Sequence, residues 1–304
     1  TPMYVRLLTL PTNVALNAVL IFGVGPIESM GVAGAAWGTA VANTLAAAIF
    51  MAALLSGRFS VQLRLGGRQW DTEIAREIVR VGLPLAGTRL SRTFGRFPFL
   101  FVLGSLGTGV VAAYAIGRRV MLLAMMPAWG YSTASSTLVG QSIGAGEEEE
   151  ADAYGWQTLR IALATQLLLA VVLIVAARPI AEWFGTSAEV LDLTVEFVRV
   201  FGLGVGAFSV SRTMRGGLRG AGDTKWPLYG TFTGTYLYKL PVAFLALPAG
   251  VAVFSFGNWS FAPGMGLGLV AVYAAILGDM YFRAGVNTFR FWTGEWKRIA
   301  RESD

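Results

Sequence analysis

The sequence predicts an all-α polytopic membrane protein, on three observations. Hydrophobic residues fill 55% of the 304 positions and charged residues only 14%, against roughly a quarter charged in soluble chains. Eight stretches are apolar over the length a helix needs to cross a bilayer, about 20 residues. Lys and Arg gather in the connections on one side of those stretches, the asymmetry that sets membrane orientation. The mean hydropathy of +0.59 agrees. There is no Cys and no His, which excludes disulfides, Cys/His zinc sites, thiol nucleophiles and His general bases. The formal charge of +6 does not indicate nucleic acid, because the basic residues lie between or inside apolar segments and not on one solvated face.

In chain order the apolar stretches are 5–22, 31–55, 79–106, 110–143, 159–176, 191–210, 228–256 and 264–287. Several exceed the minimum length, so tilt, kinks or extension beyond the bilayer are expected. Pro11, Pro84, Pro98, Pro127 and Pro241 lie inside them, where a ring in place of an N–H frees a carbonyl and bends the helix. One side collects Arg58, Arg64, Arg68, Arg76 and Arg80, then Arg212, Arg215, Arg219 and Lys225, then Arg290, Lys297, Arg298 and Arg301; the other offers only Arg178. The first side, with the C-terminal tail, is therefore expected in the cytoplasm. The run Glu147–Glu150 with Asp152 reads as a solvated loop. Asn258-Trp259-Ser260 is a glycosylation sequon, a short match that is usually unused.

The chain also repeats itself. Pro2-Met3-Tyr4 opens the first stretch and Pro227-Leu228-Tyr229 the seventh; Met30-Gly31 precedes the second and Met265-Gly266 the eighth. Order and placement predict two homologous units. The expected organisation is 1–56 as the last two helices of an N-terminal lobe, 57–78 as a cytoplasmic linker, 79–288 as a complete six-helix lobe, and 289–304 as a cytoplasmic tail. On this reading the chain is a fragment whose four preceding helices act as its partner.

Charged and polar groups inside the stretches are the candidates for chemistry. Asn13 and Asn17 are four apart and share a face; their amides suit either a cation or protonated carboxyl, or plain interhelical hydrogen bonding. Arg89, Arg92 and Arg96 fall on one helical face. At about 1.5 Å rise per residue, Arg96 lies roughly 16 Å below the end near Gly107, and Arg118, beside Arg119, a similar roughly 14 Å below Gly109. An Arg at mid-bilayer costs about 2.5–3.5 kcal/mol on insertion scales, so these five should face water, a partner helix, carbonyls or an anion. Asp279 is the one deep acid, a candidate proton site or a local ion pair with Arg283 at i+4. Lys239 is a further buried charge with no sequence partner. Met121, Met125 and Trp129 supply an adaptable apolar wall or ordinary packing.

Met126-Pro127-Ala128-Trp129-Gly130, Thr137-Leu138-Val139-Gly140-Gln141 with Gly144-Ala145-Gly146, and Leu218-Arg219-Gly220-Ala221-Gly222-Asp223-Thr224 with Pro227 resemble signatures of the multidrug and toxic compound extrusion (MATE) family. Thr1-Pro2-Met3-Tyr4 and Gly31-Val32-Ala33-Gly34-Ala35-Ala36 resemble the corresponding parts of its first half. The resemblance implies twelve helices in two lobes around a central cavity, of which eight, helices five to twelve, are present. It implies a plasma-membrane antiporter that exports organic solutes or drugs in exchange for H+ or Na+, with no cofactor and no catalysis. By the same resemblance Asn13, Asn17 and Thr39 match the proton-coupling cluster of the first lobe, although Asn17 stands where some members have Asp, and an amide cannot titrate. The sodium-coupled members' acids are lacking where Leu90-Ser91-Arg92 and Ala207-Phe208-Ser209 stand. An Arg-rich face also departs from the cationic substrates the family implies, and favours anionic or zwitterionic solutes or lipid phosphate. The alternatives are a flippase for a phosphate-bearing lipid, or a scaffold or sensor that binds without moving its ligand. An ATP-driven pump and a lipid-phosphate enzyme lack their P-loop and paired acids.

Overall fold

A computed structural model describes residues 2–26, 28–56, 71–251, 253–256 and 259–301. The chain falls into two compact units, Thr1–Asp71 and Thr72–Asp304.

The first unit is a helix pair, α1 (Pro2–Phe22) and α2 (Gly31–Leu55). Gly34 and Gly38 have the small-xxx-small spacing that lets helix backbones approach without a hydrophobic drive. A Cβ at Gly34 would strike the Leu20 carbonyl, and one at Gly38 the Asn17 side-chain oxygen. α1 runs on through Pro11. The chain turns back at Gly31, in the left-handed region at φ 53°, and the Met30 N–H donates to the Leu20 carbonyl at 2.9 Å.

The second unit contains α3 (Thr72–Ser105), α4 (Thr108–Gly144), α5 (Glu148–Val175), the short α6 (Ala177–Glu182), α7 (Ala188–Gly220) and α8 (Lys225–Phe232). A π-helical segment, Thr233–Lys239, leads into α9 (Leu240–Phe244); the strands β1 (Phe254–Phe256) and β2 (Trp259–Phe261) precede α10 (Gly268–Trp292) and α11 (Glu295–Arg301). β1 and β2 form an antiparallel hairpin that pairs Phe254 with Phe261 and Phe256 with Trp259. α7 is buried nearly all round, as a helix apolar on every side should be. Its glycines let neighbours come close: a Cβ at Gly216 would meet the Ser132 carbonyl of α4, and one at Gly220 the Ser136 carbonyl. Edge-on contacts of Tyr114 with Phe99 and Phe197, and of Phe197 with Tyr273, close one end of the unit. Phe291, stacked on Trp296 at 5.0 Å and edge-on to Trp156, closes the other.

Five of the described helices, α2, α4, α5, α7 and α10, are long and apolar enough to cross a membrane. They make the chain a multi-pass membrane protein, and large apolar side chains such as Leu168, Val171 and Val175 on α5 lie exposed, as lipid contact allows. The eight predicted stretches are not all matched. In α1 the apolar part is the shorter Leu7–Phe22; α3 carries its arginines along its length; and the predicted stretch 228–256 breaks into α8, the π-helical segment and α9, then leaves the helix before Pro248 and Gly250. Other boundaries move outward. α3 starts at Thr72, inside the predicted linker, and α7 runs past 210 to Gly220. Glu148–Glu150 form the first turn of α5, not a loop, where acidic side chains complement the positive end of the helix dipole. Arg58, Arg64, Arg68 and Asn258 lie outside the described residues.

The repeat has a structural counterpart inside each unit. In the second, the Met265 N–H donates to the Leu245 carbonyl at 3.2 Å, as Met30 does to Leu20 in the first. Leu20 and Leu245 stand at the same distance from Pro2 and Pro227. The longer second connection holds the hairpin.

Candidate transport cavity

A cavity of about 290 Å³ opens in the second unit among α3, α4, α7, the π-helical segment and α10. Its polar lining comes from Arg92 and Arg96 of α3, Arg118 of α4, Ser211 and Arg212 of α7, Thr235 and Lys239 of the π-helical segment, and Asp279 and Arg283 of α10. Its apolar lining includes Phe99, Tyr114, Met121, Met125, Trp129, Phe208 and Met280. An adjoining groove of about 440 Å³ between α3 and α4 shares Arg96, Tyr114, Arg118 and Leu122, and adds Leu100, Val111 and Arg119.

Six cationic side chains thus face one carboxylate, and that carboxylate is already engaged. Arg283 donates from Nε to Asp279 at 2.6 Å and from its terminal nitrogen to the Thr235 hydroxyl at 2.8 Å, and Thr235 donates in turn to the Thr231 carbonyl. Both members of the ion pair are largely buried, at 10% and 13% exposure. Gly234 makes room for them: a Cβ there would lie 2.8 Å from the carboxylate and 3.1 Å from the Arg283 Nε. A π-helical turn is a common device at functional sites; here it aims Thr235 and Lys239 at the same space. Tyr236, within it, donates to the Ser91 carbonyl at 3.0 Å and ties it to α3.

Two of the remaining cations, Lys239 and Arg212, have aromatic neighbours in place of acids. The Lys239 ammonium sits 4.0 Å from the centre of the Phe99 ring. The Arg212 guanidinium lies 5.0 Å from Phe208 and 6.0 Å from Trp129, within cation–π range. The Nε–H groups of Arg92 and Arg212 are buried with no hydrogen-bond partner.

Arg92, Arg96, Arg118, Met121, Met125, Trp129 and Asp279 line the main cavity; Arg119 lines the groove alone, and Arg89 lines neither. In the first unit, Asn17 donates to the Asn13 side-chain oxygen at 3.2 Å, and the Asn17 oxygen is buried without a partner. Thr39 donates instead to Ala35 of its own helix at 2.9 Å and is exposed, so no hydrogen bond joins it to the amides. Glu196 of α7 accepts from Tyr273 at 2.7 Å. Arg212 is a correction. Counted among loop charges by sequence, it belongs to α7 and lines the cavity. Its signal was the unbroken run from Phe208 to Arg212, with no helix breaker between.

The family model described as MatE matches residues 84–245, which takes in α3 from Pro84 onward, α4 through α9 and most of the cavity wall. The chain belongs to the MatE family. A "Probable multidrug resistance protein NorM" of Thermotoga maritima is 30% identical over 302 residues, covering 99% of this chain and 61% of that protein. A protein of the same description from Brucella suis is 26% identical over 283 residues, 90% of this chain and 59% of that one. The chain therefore spans about 60% of the length of these relatives. Solved structures share the MatE fold. One described as "Crystal structure of MATE in the bent conformation" superposes with a TM-score of 0.82 at 19% identity, over 99% of this chain and 62% of that one. Another, a transporter of Pyrococcus furiosus described by "Reverse polarity of binding pocket suggests different function of a MOP superfamily transporter", gives 0.82 at 20%, over 99% and 63%.

Proposed function

We propose that the chain is part of a secondary active exporter of the MATE type that moves organic solutes outward in exchange for H+ or Na+. The observation that carries this reading is the polar cavity within a MatE-family helical bundle. The relatives that share nearly the whole of this chain are described as multidrug resistance proteins. On this reading the chain corresponds to helices five to twelve of a two-lobe, twelve-helix transporter. The interrupted run α8–π–α9 counts as one crossing, and α1 and α3 as crossings whose polar residues face protein or water. Residues 1–56 end the first lobe, 57–78 link the lobes, 79–288 form the second, and 289–304 is a tail that the Lys and Arg distribution assigns to the cytoplasm.

Within this scheme Asn13, Asn17 and Thr39 form a polar site in the first lobe, and Asp279 is the acid of the second. Arg89, Arg92, Arg96, Arg118, Arg119, Met121, Met125 and Trp129 belong to the substrate path. The excess of cations over acids in the cavity also favours a second reading, flipping of a phosphate-bearing lipid.

Sealed vesicles carrying this chain, alone and together with the first four helices of a two-lobe relative, test both. Solute movement driven by an imposed proton or sodium gradient supports exchange. Lipid scrambling between leaflets without solute movement supports flipping. Ligand binding with neither flux leaves a scaffold or sensor.

A further inference from the structure

We infer that the cavity of the second unit binds an amphipathic phosphate monoester, its dianionic head among the guanidiniums and its apolar body against the aromatic and thioether wall. The inference rests on the transport reading of this same cavity. Three features carry it. Among the described lining residues the cations outnumber the one carboxylate, and Arg283 already holds that carboxylate at 2.6 Å; a dianion offsets twice as much of the excess as a monoanion. Arg92 and Arg212 approach from different helices with buried, unpartnered Nε–H groups, and guanidiniums match phosphate oxygens in fork geometry. Beside them Trp129, Phe208, Met121 and Met125 give a body of rings or alkyl groups somewhere to lie.

The same argument counts against organic cations. Like charges in a poorly screened space repel strongly, and among the described residues no free carboxylate lines the cavity to offset that, since Asp279 is taken. The head chemistry has two sources, a soluble ester or a lipid. The groove between α3 and α4, with Leu100, Val111 and Leu122 on its walls and Arg96 and Arg118 at its junction with the cavity, would carry an acyl chain out from the head.

The test is isothermal titration of the purified protein in neutral detergent with 1-naphthyl phosphate, 1-naphthol, 1-naphthylmethylamine, inorganic phosphate and lysophosphatidic acid. The expected result is that a phosphate monoester binds about tenfold or more tighter than the alcohol, the amine and inorganic phosphate, as charge-assisted pairing plus apolar burial requires. Lysophosphatidic acid ahead of naphthyl phosphate points to a lipid source and the reverse order to a soluble ester; either supports the proposal. Arg92→Gln and Arg212→Gln should each weaken binding about fivefold or more. Arg92→Lys, which keeps the charge and is gentler on folding, should lose part of the affinity. The proposal is overturned if the amine binds as well as the phosphate, or if the alcohol does. Vesicle flux separates the two readings: amine binding with drug export intact removes this inference alone, and phosphate binding without any flux removes the transport reading alone.

Discussion

Arg283 and Asp279 stand one turn apart on α10, joined at 2.6 Å, and the link decides the electrostatics of the whole cavity. It holds the single lining carboxylate in a local pair, with Thr235 as a third member. The other five cations of the lining are left to aromatic faces, to water and to whatever anion enters.

Asp279→Asn should destabilise the fold sharply. Removing one member of a buried pair strands the other, at a cost of about 3–5 kcal/mol. The double variant Asp279→Leu with Arg283→Met, which removes both charges, should recover most of that loss. Thermal unfolding in detergent checks this, and equal losses for the single and double variants would sink it.

How much of this was legible in the sequence varies with the kind of feature. The long apolar stretches gave most of the helices, and the i, i+3, i+7 spacing of Arg89, Arg92 and Arg96 put them on one side of α3. It could not separate Arg92, whose Nε is buried, from Arg89, which lines neither cavity, because that depends on which helices pack beside α3. The π-helical segment was invisible for a related reason. Thr233–Lys239 holds a single weak helix former, Gly234, and nothing in the sequence says that it lies against the Asp279–Arg283 pair. Lys239 was legible as a buried charge but not its contact with Phe99, far away in the chain. The hairpin at 254–261 was hidden because apolar strand residues read as more of the same span.

Lys239→Met should raise stability. The ammonium is half-buried, with a ring for company and no acid within ion-pair distance among the described residues. Replacing it with a flexible apolar chain of similar length removes a desolvation cost of about 1 kcal/mol or more, beyond what the ring contact returns. A lower melting temperature for the variant would contradict this.

Gly216→Val and Gly220→Val should fold poorly, each costing about 1–3 kcal/mol or more, because the new atoms meet backbone carbonyls that cannot rotate away. Gly82→Ala on α3 is the contrast: a Cβ there meets nothing within 4 Å, so the gain in helix stability of about 0.5–1 kcal/mol should survive. Detergent-solubilised yield and melting temperature read both; similar behaviour of the two classes would refute the packing argument.

Asp223→Ala should loosen the end of the second unit that holds Trp296. Asp223 is 2% exposed and accepts from the Arg290 Nε at 2.7 Å and from the Trp226 backbone N–H at 3.3 Å; Arg290 in turn lies 5.0 Å from the Trp226 ring. Loss of the acid leaves Arg290 with its longer contact to Glu295 at 3.8 Å and frees the Trp226 N–H in the first turn of α8, about 1–3 kcal/mol in total. Faster amide exchange confined to α8, α10 and α11 would support this, and unchanged exchange there would not.

The close approach of α4 and α7 at Gly216 and Gly220 governs how the cavity can deform. Two helices in backbone contact slide or part only with difficulty, so Arg118 and Arg212 ride on one stiff block. Arg92 and Arg96 ride on α3, which is fastened elsewhere, to the run beginning at α8, through Gly87 against Leu228 and Ser91 against Tyr236. The like charges of the lining therefore come from two differently braced parts of the unit, which also touch through Phe99 and Tyr114. Their mutual repulsion is a standing tension in the wall that an opposite charge between them would relieve.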